Sequence, residues 1–547
     1  MRCPRSTRAS GSSSPASYAT RDTAAEKSGV PLSDFGSGNP DEAANSLERT
    51  AKNAEALLES PNDPEIGPPV PASAVAASAL APKDFVGLPV AGGSAKEILR
   101  LAWPVIASQV LLNLTGLIDR MMIGRLAEGG SAAVPLAAVG YATQLFHLIH
   151  STLFAVGLAC VALMARAIGS GNTQTARHAF AGSVQVSVCI TLVYASGLFF
   201  FSEQSLALLG AEESVIKLAA PYLELTVAAS LILSFTLIFE SGMRANRDMR
   251  TPMFIALVVT ATKLALNAVL IFGLFGAPRL ELLGAGLATA ISQAVGFALF
   301  ILVFMRLPKD APTALRFRDL FRSNPIVRQV IRIAVPGVAE RIVLNMGLLS
   351  YFWILSNWYG TMAVAAYTVG ISLLSFSWIP GTGYAQACST VVGQALGARD
   401  RDVAVRAGRQ SVVLAVGTAI PLGLLFAWFR IPLAEMFTDD VAVIAALSPF
   451  MLALAAAQPF LQMHFTLAGA HKGAGDTITP LIGALIGNWA IRVPMAILIG
   501  GVLELDVVWI WATLIFDHIS RAIWLGYSFL RGRWSELPTK DGVQVIA

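Results

Sequence analysis

From about residue 95 to residue 531 the chain is a succession of apolar segments of roughly 20 residues or more, and this feature constrains its fold more than any other. About 20 apolar residues in a helix cross the roughly 30 Å hydrocarbon core of a bilayer. Twelve such segments can be counted, centred roughly on residues 112, 148, 190, 230, 264, 295, 343, 378, 420, 456, 490 and 519. In hydrocarbon no water satisfies the backbone, so only helices or closed barrels span it. Segments this long, with no period-two alternation, are helices. Of the 547 residues only 14% are charged, too few to clothe the several soluble domains that a chain of this length otherwise forms. A soluble enzyme is excluded, and an all-α polytopic membrane protein is expected.

Placement of charge gives the orientation. Twenty Lys and Arg, Lys472 among them, fall in connections on the side of the N-terminus, against Arg125, Lys217, Arg279 and Arg430 on the other side. The positive-inside bias puts both termini in the cytoplasm, and an even number of crossings agrees. Residues 1–92 are rich in Ser, Ala, Pro and Gly and read as a disordered tail. Arg2, Arg5 and Arg8, with no acid before Asp22, give its start the composition of an organelle transit peptide; a long bacterial tail is the alternative. The expected location is thus a bacterial inner (plasma) membrane, or a chloroplast or other organelle membrane if the tail includes a transit peptide. The net charge of +4 gives no reason to expect a nucleic-acid partner. Cys3, Cys160, Cys189 and Cys388 have no metal-ligand spacing, and the last three lie in apolar runs, where buried inert thiols are expected.

The chain also contains itself twice. ILRLAWPVIASQVLLNL (98–114) aligns with VIRIAVPGVAERIVLNM (330–346), which places Pro104 on Pro336. RAIGSGNTQTARHA (166–179) aligns with QALGARDRDVAVRA (394–407), and the same shift places Asp248 on Asp476. Six crossings return the chain to its starting side, so the halves share one orientation and form two six-helix lobes related by a pseudo-twofold. Parallel repeats of this kind are a transporter architecture, with the substrate path between the halves. The expected organisation is a tail over 1–92, lobes over 93–306 and 330–531, a cytoplasmic linker over 307–329 and a C-terminal tail over 532–547.

In GLIDRMMIGRL (116–126), VPLAAVG (134–140), SFSWIPGTGYAQACSTVVGQALGARD (375–400), LAGAHKGAGDTITPLIGALIG (467–487) and its degenerate twin ESGMRANRDMRTP (240–252), the sequence resembles the multidrug and toxic compound extrusion (MATE) family. The resemblance covers essentially all of 95–531. It implies a secondary antiporter, not an enzyme, that exports amphipathic, often cationic small molecules in exchange for H+ or Na+. No cofactor or metal site is expected, and the protein is expected as a monomer in the bilayer. A lipid-linked oligosaccharide flippase of the same superfamily is the alternative.

Ionisable groups inside a span cost roughly 2.5–3.5 kcal/mol each, which makes them functional candidates. Asp119 matches the acid that the resembling proteins carry on their first helix, and Pro104 and Pro336 match hinge prolines. Lys263 and Asn267, four residues apart, share a helical face. If that face meets Asp119, as the resemblance implies, the Lys263 ammonium takes the place of a bound cation. The site is then either an ion pair opened by proton or substrate, or one whose coupling is lost. Glu340 is the second acid, with a cluster with Arg341 as its bland alternative. Glu224 and Glu240 are expected to reach interfacial water, Asp517 and Arg521 to pair, and His464 to be a satisfied core histidine.

Overall fold

Among the described residues, twelve long helices fall on the twelve apolar segments of the sequence. The computed structural model describes residues 92–124, 133–308, 310–314, 324–437 and 440–536; the expected N-terminal tail and most of the C-terminal tail lie outside the described residues. The helices are α1 (Ala95–Gly124), α2 (Ala133–Gly169), α3 (Thr173–Phe200), α4 (Glu213–Ala245), α5 (Arg250–Phe272), α6 (Glu281–Arg306), α7 (Val327–Trp358), α8 (Gly360–Gly397), α9 (Arg401–Trp428), α10 (Val441–Gly473), α11 (Ile478–Val502) and α12 (Val507–Arg531). Among the described residues, eleven are long and apolar enough to cross a membrane. The remaining helix, α12, is 25 residues long and carries Asp517, His518 and Arg521 in its middle.

The sequence repeat reappears as repeated local chemistry. Asn172 caps α3 by accepting from the Thr175 amide at 2.9 Å, and its counterpart Asp400 caps α9 by accepting from Val403 at 3.0 Å. Each cap satisfies an amide that the first turn leaves without a partner. Asp248 and Asp476 receive the amides of Thr251 and Thr479, both at 3.0 Å, at the starts of α5 and α11. Burial pushes the Asp476 carboxyl up, but hydrogen bonds from His471 and Thr479 outweigh it and hold the group below its ordinary value. The backbone turns left-handed at Gly171 and its counterpart Arg399, and again at Arg247 and its counterpart Gly475.

The two lobes meet at the end of the bundle where α1 begins, hereafter the N-face. There α2 and α8 cross so closely that a Cβ on Gly169 lies 1.9 Å from the Gln394 carbonyl oxygen. A Cβ on its counterpart Gly397 lies 2.0 Å from that of Arg166. Gln394 donates to the Ala245 carbonyl at 2.7 Å and Thr390 to that of Arg244 at 3.2 Å, tying α8 to the end of α4. Gly169→Ala or Gly397→Ala is expected to pry this crossing apart, at about 1–3 kcal/mol of overpacking. Thermal unfolding in detergent checks this against Gly116→Ala, where an added Cβ meets nothing within 4 Å.

Packing shows that the first helix of each lobe straddles both lobes. Ile98, Leu101, Ala102 and Val105 of α1 belong to a core with α8, α9 and α10 of the C-terminal lobe, whereas Ile123, at the other end of α1, belongs to a core with α2 and α4. The counterpart holds for α7: Val330 and Ala334 pack with α2, α3 and α4, and Tyr351, Ile354 and Leu355 pack with α8, α10 and α12. Pro104 lies between Ala102 and Val105, within the part of α1 packed on the C-terminal lobe, and Pro336 follows Ala334, within the part of α7 packed on the N-terminal lobe. A proline inside a helix removes one backbone hydrogen bond, so each helix bends more readily there.

Cys160 and Cys388 are buried, but Cys189 is exposed on α3, contrary to expectation. In a membrane helix the outward side is as apolar as the packed side, so the apolar run did not distinguish them.

Candidate functional site

The described residues place Asp119, Lys263 and Asn267 together. On α1, Thr115 and Asp119 are one turn apart; on α5, Thr260, Lys263 and Asn267 form the facing ridge. Thr115 donates to Thr260 at 3.5 Å at the base of this seam. One turn on, the Lys263 ammonium donates to Asp119 Oδ2 at 2.5 Å, and the Asn267 amide donates to Asp119 Oδ1 at 2.6 Å. An ionised carboxylate only accepts, so both oxygens are engaged by donors from one neighbouring helix. The pair is half-buried, with side-chain exposure of 17% for Asp119 and 21% for Lys263. Asn267 is fully buried, and its carbonyl oxygen has no hydrogen-bond partner among the described residues.

Glu340 lies in the other lobe, closer to the N-face than Asp119. Its carboxylate is bonded through both oxygens, at 2.9 Å each, to the Lys472 ammonium in the last turn of α10. Lys472 stands with the loop cations in sequence, but it is only 9% exposed. Nor does Arg341 pair with Glu340: its guanidinium lies 4.9 Å above the Phe154 ring of α2. Both lobes thus hold an acid against a lysine, though at different depths.

Deeper in the C-terminal lobe, Asp517 accepts from Arg521 Nε at 2.6 Å and Nη2 at 2.9 Å, the expected pairing. A third charge was not foreseen. Arg492 of α11 approaches Asp517 at 3.7 Å, donates to the Tyr367 hydroxyl at 3.0 Å and lies 4.2 Å above the Tyr351 ring. Residues Leu485–Arg492 are wound as a π-helix, and a Cβ on Gly487 falls 2.2 Å from the Asp517 carboxylate; bare backbone there makes room for the pair. His464 is satisfied as expected, its Nε2 lying 3.0 Å from His518 Nδ1.

Glu224 and Glu240, each partly exposed, have protein partners. Ser202 donates to Glu224 at 2.7 Å, and Glu240 pairs with Arg244 one turn along α4. A short helix between spans, Ser202–Leu208, and a cation at i+4 supply these partners. Among the described residues no group of His, Cys, Asp and Glu is suited to hold a metal ion.

Comparison with known proteins agrees with this architecture. The MatE family model matches twice, over residues 104–269 and 336–498, one match in each repeat. A probable multidrug resistance protein NorM of Bradyrhizobium diazoefficiens is 30% identical over 80% of this chain and 92% of its own length. That of Thermotoga maritima is 27% identical over 81% and 93%. Among solved structures, the outward-facing conformation of a multidrug resistance MATE family transporter of the MOP superfamily has a TM-score of 0.75 at 20% identity, covering 83% of this chain and 98% of its own. A MOP superfamily transporter from Pyrococcus furiosus has a TM-score of 0.72 at the same identity and coverage. With the family model matched in both halves and the helical order preserved, the chain belongs to the MatE family of membrane transporters.

Proposed function

We propose that the protein is a secondary efflux antiporter that exports amphipathic, often cationic small organic molecules in exchange for H+ or Na+. The observation that carries this reading is the Asp119 carboxylate, held by Lys263 and Asn267 in a half-buried niche on a helix whose first turns pack on the C-terminal lobe and whose end packs on the N-terminal lobe. Protonating Asp119 removes the charge that binds Lys263 and loosens α1 from α5 beyond the proline. Bending there, and at Pro336 in α7, lets the lobes rock about the N-face crossing. Glu340 and Lys472 are the corresponding ion pair of the second lobe. The Lys and Arg bias makes the N-face cytoplasmic, and lobes closed on that face leave the cleft facing outward. The membrane is then the inner membrane of a bacterial cell, or an organelle membrane if residues 1–92 include a transit peptide. Inward movement of one positive charge supplies about 2.3 kcal/mol per 100 mV, enough to drive uphill export without ATP. A pyrophosphate-linked flippase needs several free cations in its cleft, whereas Lys263, Arg492 and Arg521 face Asp119 or Asp517, which leaves Arg341 as the one of these four span cations without a carboxylate partner among the described residues.

The test is transport of a fluorescent organic cation in vesicles that contain only this protein, under imposed pH or sodium gradients. The parent is expected to move the dye against its gradient. Asp119→Asn is expected to slow this by about tenfold or more, equivalent to some 1.4 kcal/mol of lost coupling, and Glu340→Gln is expected to slow it as well. Equal rates with and without a gradient argue against antiport.

A further inference from the structure

On the outer wall of the bundle, the first turns of α1 and α9 form a seam whose charges the export scheme does not use. Gly93, in the left-handed region at φ 64°, lets the chain meet α9 closely: an added Cβ would lie 3.0 Å from the Val403 carbonyl oxygen and 3.1 Å from Ala407. Arg406 of α9 donates across the seam to the Gly92 carbonyl at 3.4 Å. The inner side of α1 is packed, with Ile98, Leu101, Ala102 and Val105 in a core with α8, α9 and α10. Its other side carries Lys96, Leu99, Arg100 and Trp103 at helical spacing, all exposed. Along α9, Arg406, Arg409 and Val413 repeat the pattern and are exposed as well.

The acids close to this seam are mostly engaged elsewhere. Glu97 is taken by Arg247 at 2.9 Å and by the Gly93 amide at 3.1 Å. Asp400 caps α9, and Glu536 lies 3.5 Å from Arg401. On α1 and the first turns of α9 this leaves Asp402 as the exposed acid, against the four cations Lys96, Arg100, Arg406 and Arg409, none of which makes an ion pair among the described residues. Beyond the cations the wall turns apolar, with Leu99 46%, Trp103 43% and Val413 65% exposed. Unpaired cations at the mouth of a lipid-facing seam, followed inward by an indole and aliphatic surface, are complementary in charge and polarity to a phospholipid.

We infer that the seam between α1 and α9 binds an anionic phospholipid of the cytoplasmic leaflet, with its phosphate on Arg100 and Arg406, Lys96 and Arg409 flanking the headgroup, and its acyl chains along Leu99, Trp103 and Val413. The choice of leaflet rests on the Lys and Arg bias that makes the N-face cytoplasmic. A guanidinium fork matches a phosphate through two parallel hydrogen bonds. A zwitterionic lipid brings an ammonium of its own, which four unpaired cations repel. Because α1 packs on both lobes, the bound lipid ties its first turns to the C-terminal lobe ahead of Pro104.

The test is quenching of tryptophan fluorescence in the full-length protein, reconstituted in phosphatidylcholine bilayers into which brominated phosphatidylglycerol or brominated phosphatidylcholine is titrated. Bromines on the acyl chains quench a nearby indole, and subtracting the signal of Trp103→Phe isolates Trp103 among the ten tryptophans. Half-quenching of Trp103 is expected at a mole fraction of the anionic lipid about fivefold below that of the zwitterionic one, as several cations each attracting an anionic lipid require. The difference is expected to shrink at high salt, which screens exposed charges. The double variant Arg100→Gln and Arg406→Gln is expected to remove it, and Arg100→Lys with Arg406→Lys to keep most of it. Thermal unfolding identifies any variant that fails to fold, and the lysine variant keeps the test decisive if the glutamine variant does. Equal half-quenching by the two lipids in the parent overturns the proposal; a protein segment seated on the seam would give that result. An unchanged difference in the glutamine variant overturns it too. Quenching needs no ion gradient, so a failure here leaves the antiport reading standing, and a failure of gradient-driven transport leaves this one standing.

Discussion

Exchanging Asp517 for leucine is expected to cost about 3–5 kcal/mol of stability, the usual penalty for removing one partner of a buried ion pair. The carboxylate is 1% exposed and faces two guanidiniums, bonded to Arg521 and 3.7 Å from Arg492. Without it, both cations stay behind in a span with too little negative charge, and only the Tyr367 hydroxyl and the Tyr351 ring face Arg492. The double variant Asp517→Leu and Arg521→Leu removes a whole pair and leaves one cation, so it should regain much of the loss; apolar replacement of a complete buried pair is often neutral. Thermal unfolding in detergent reads the difference. A single variant that melts within a degree or two of the parent contradicts the idea that this cluster is held by Asp517.

The sequence made the helices, the repeat and the pairing of Asp517 with Arg521 legible because each is local or periodic. Length and apolarity define a span; Asn172, Asp248, Asp400 and Asp476 act within three residues of themselves; Asp517 and Arg521 share one helical face. Contacts between helices were less legible. Lys472 stands next to a turn in sequence, yet the last turn of α10 directs it inward to Glu340, 132 residues away in the chain. Arg492 reaches Asp517 from a π-helical stretch whose winding no periodicity announced. The packing of α1 and α7 on both lobes was equally hidden, because an apolar face does not name the lobe that covers it. The meeting of Asp119 with Lys263 and Asn267 rested on the resemblance, and the structure brings the three together at hydrogen-bond distance.

Releasing Asp119 from Lys263 is expected to change the ion that drives export. The ammonium lies 2.5 Å from Oδ2, where a small cation would otherwise sit. Being tethered, it competes at the high effective concentration of an intramolecular partner, in the millimolar range or above. Sodium must displace it, whereas a proton need only neutralise the carboxylate. Replacing Lys263 with asparagine removes the resident cation and leaves Asp119 beside two amides, one of them Asn267 with its unpartnered carbonyl oxygen. Oxygen donors of this kind suit a hard cation. The decisive measurement is dye export from vesicles containing only the parent or Lys263→Asn, driven in turn by a pH gradient and by a sodium gradient. The account predicts that sodium drives export in Lys263→Asn and not in the parent. The same ion dependence in both proteins contradicts it.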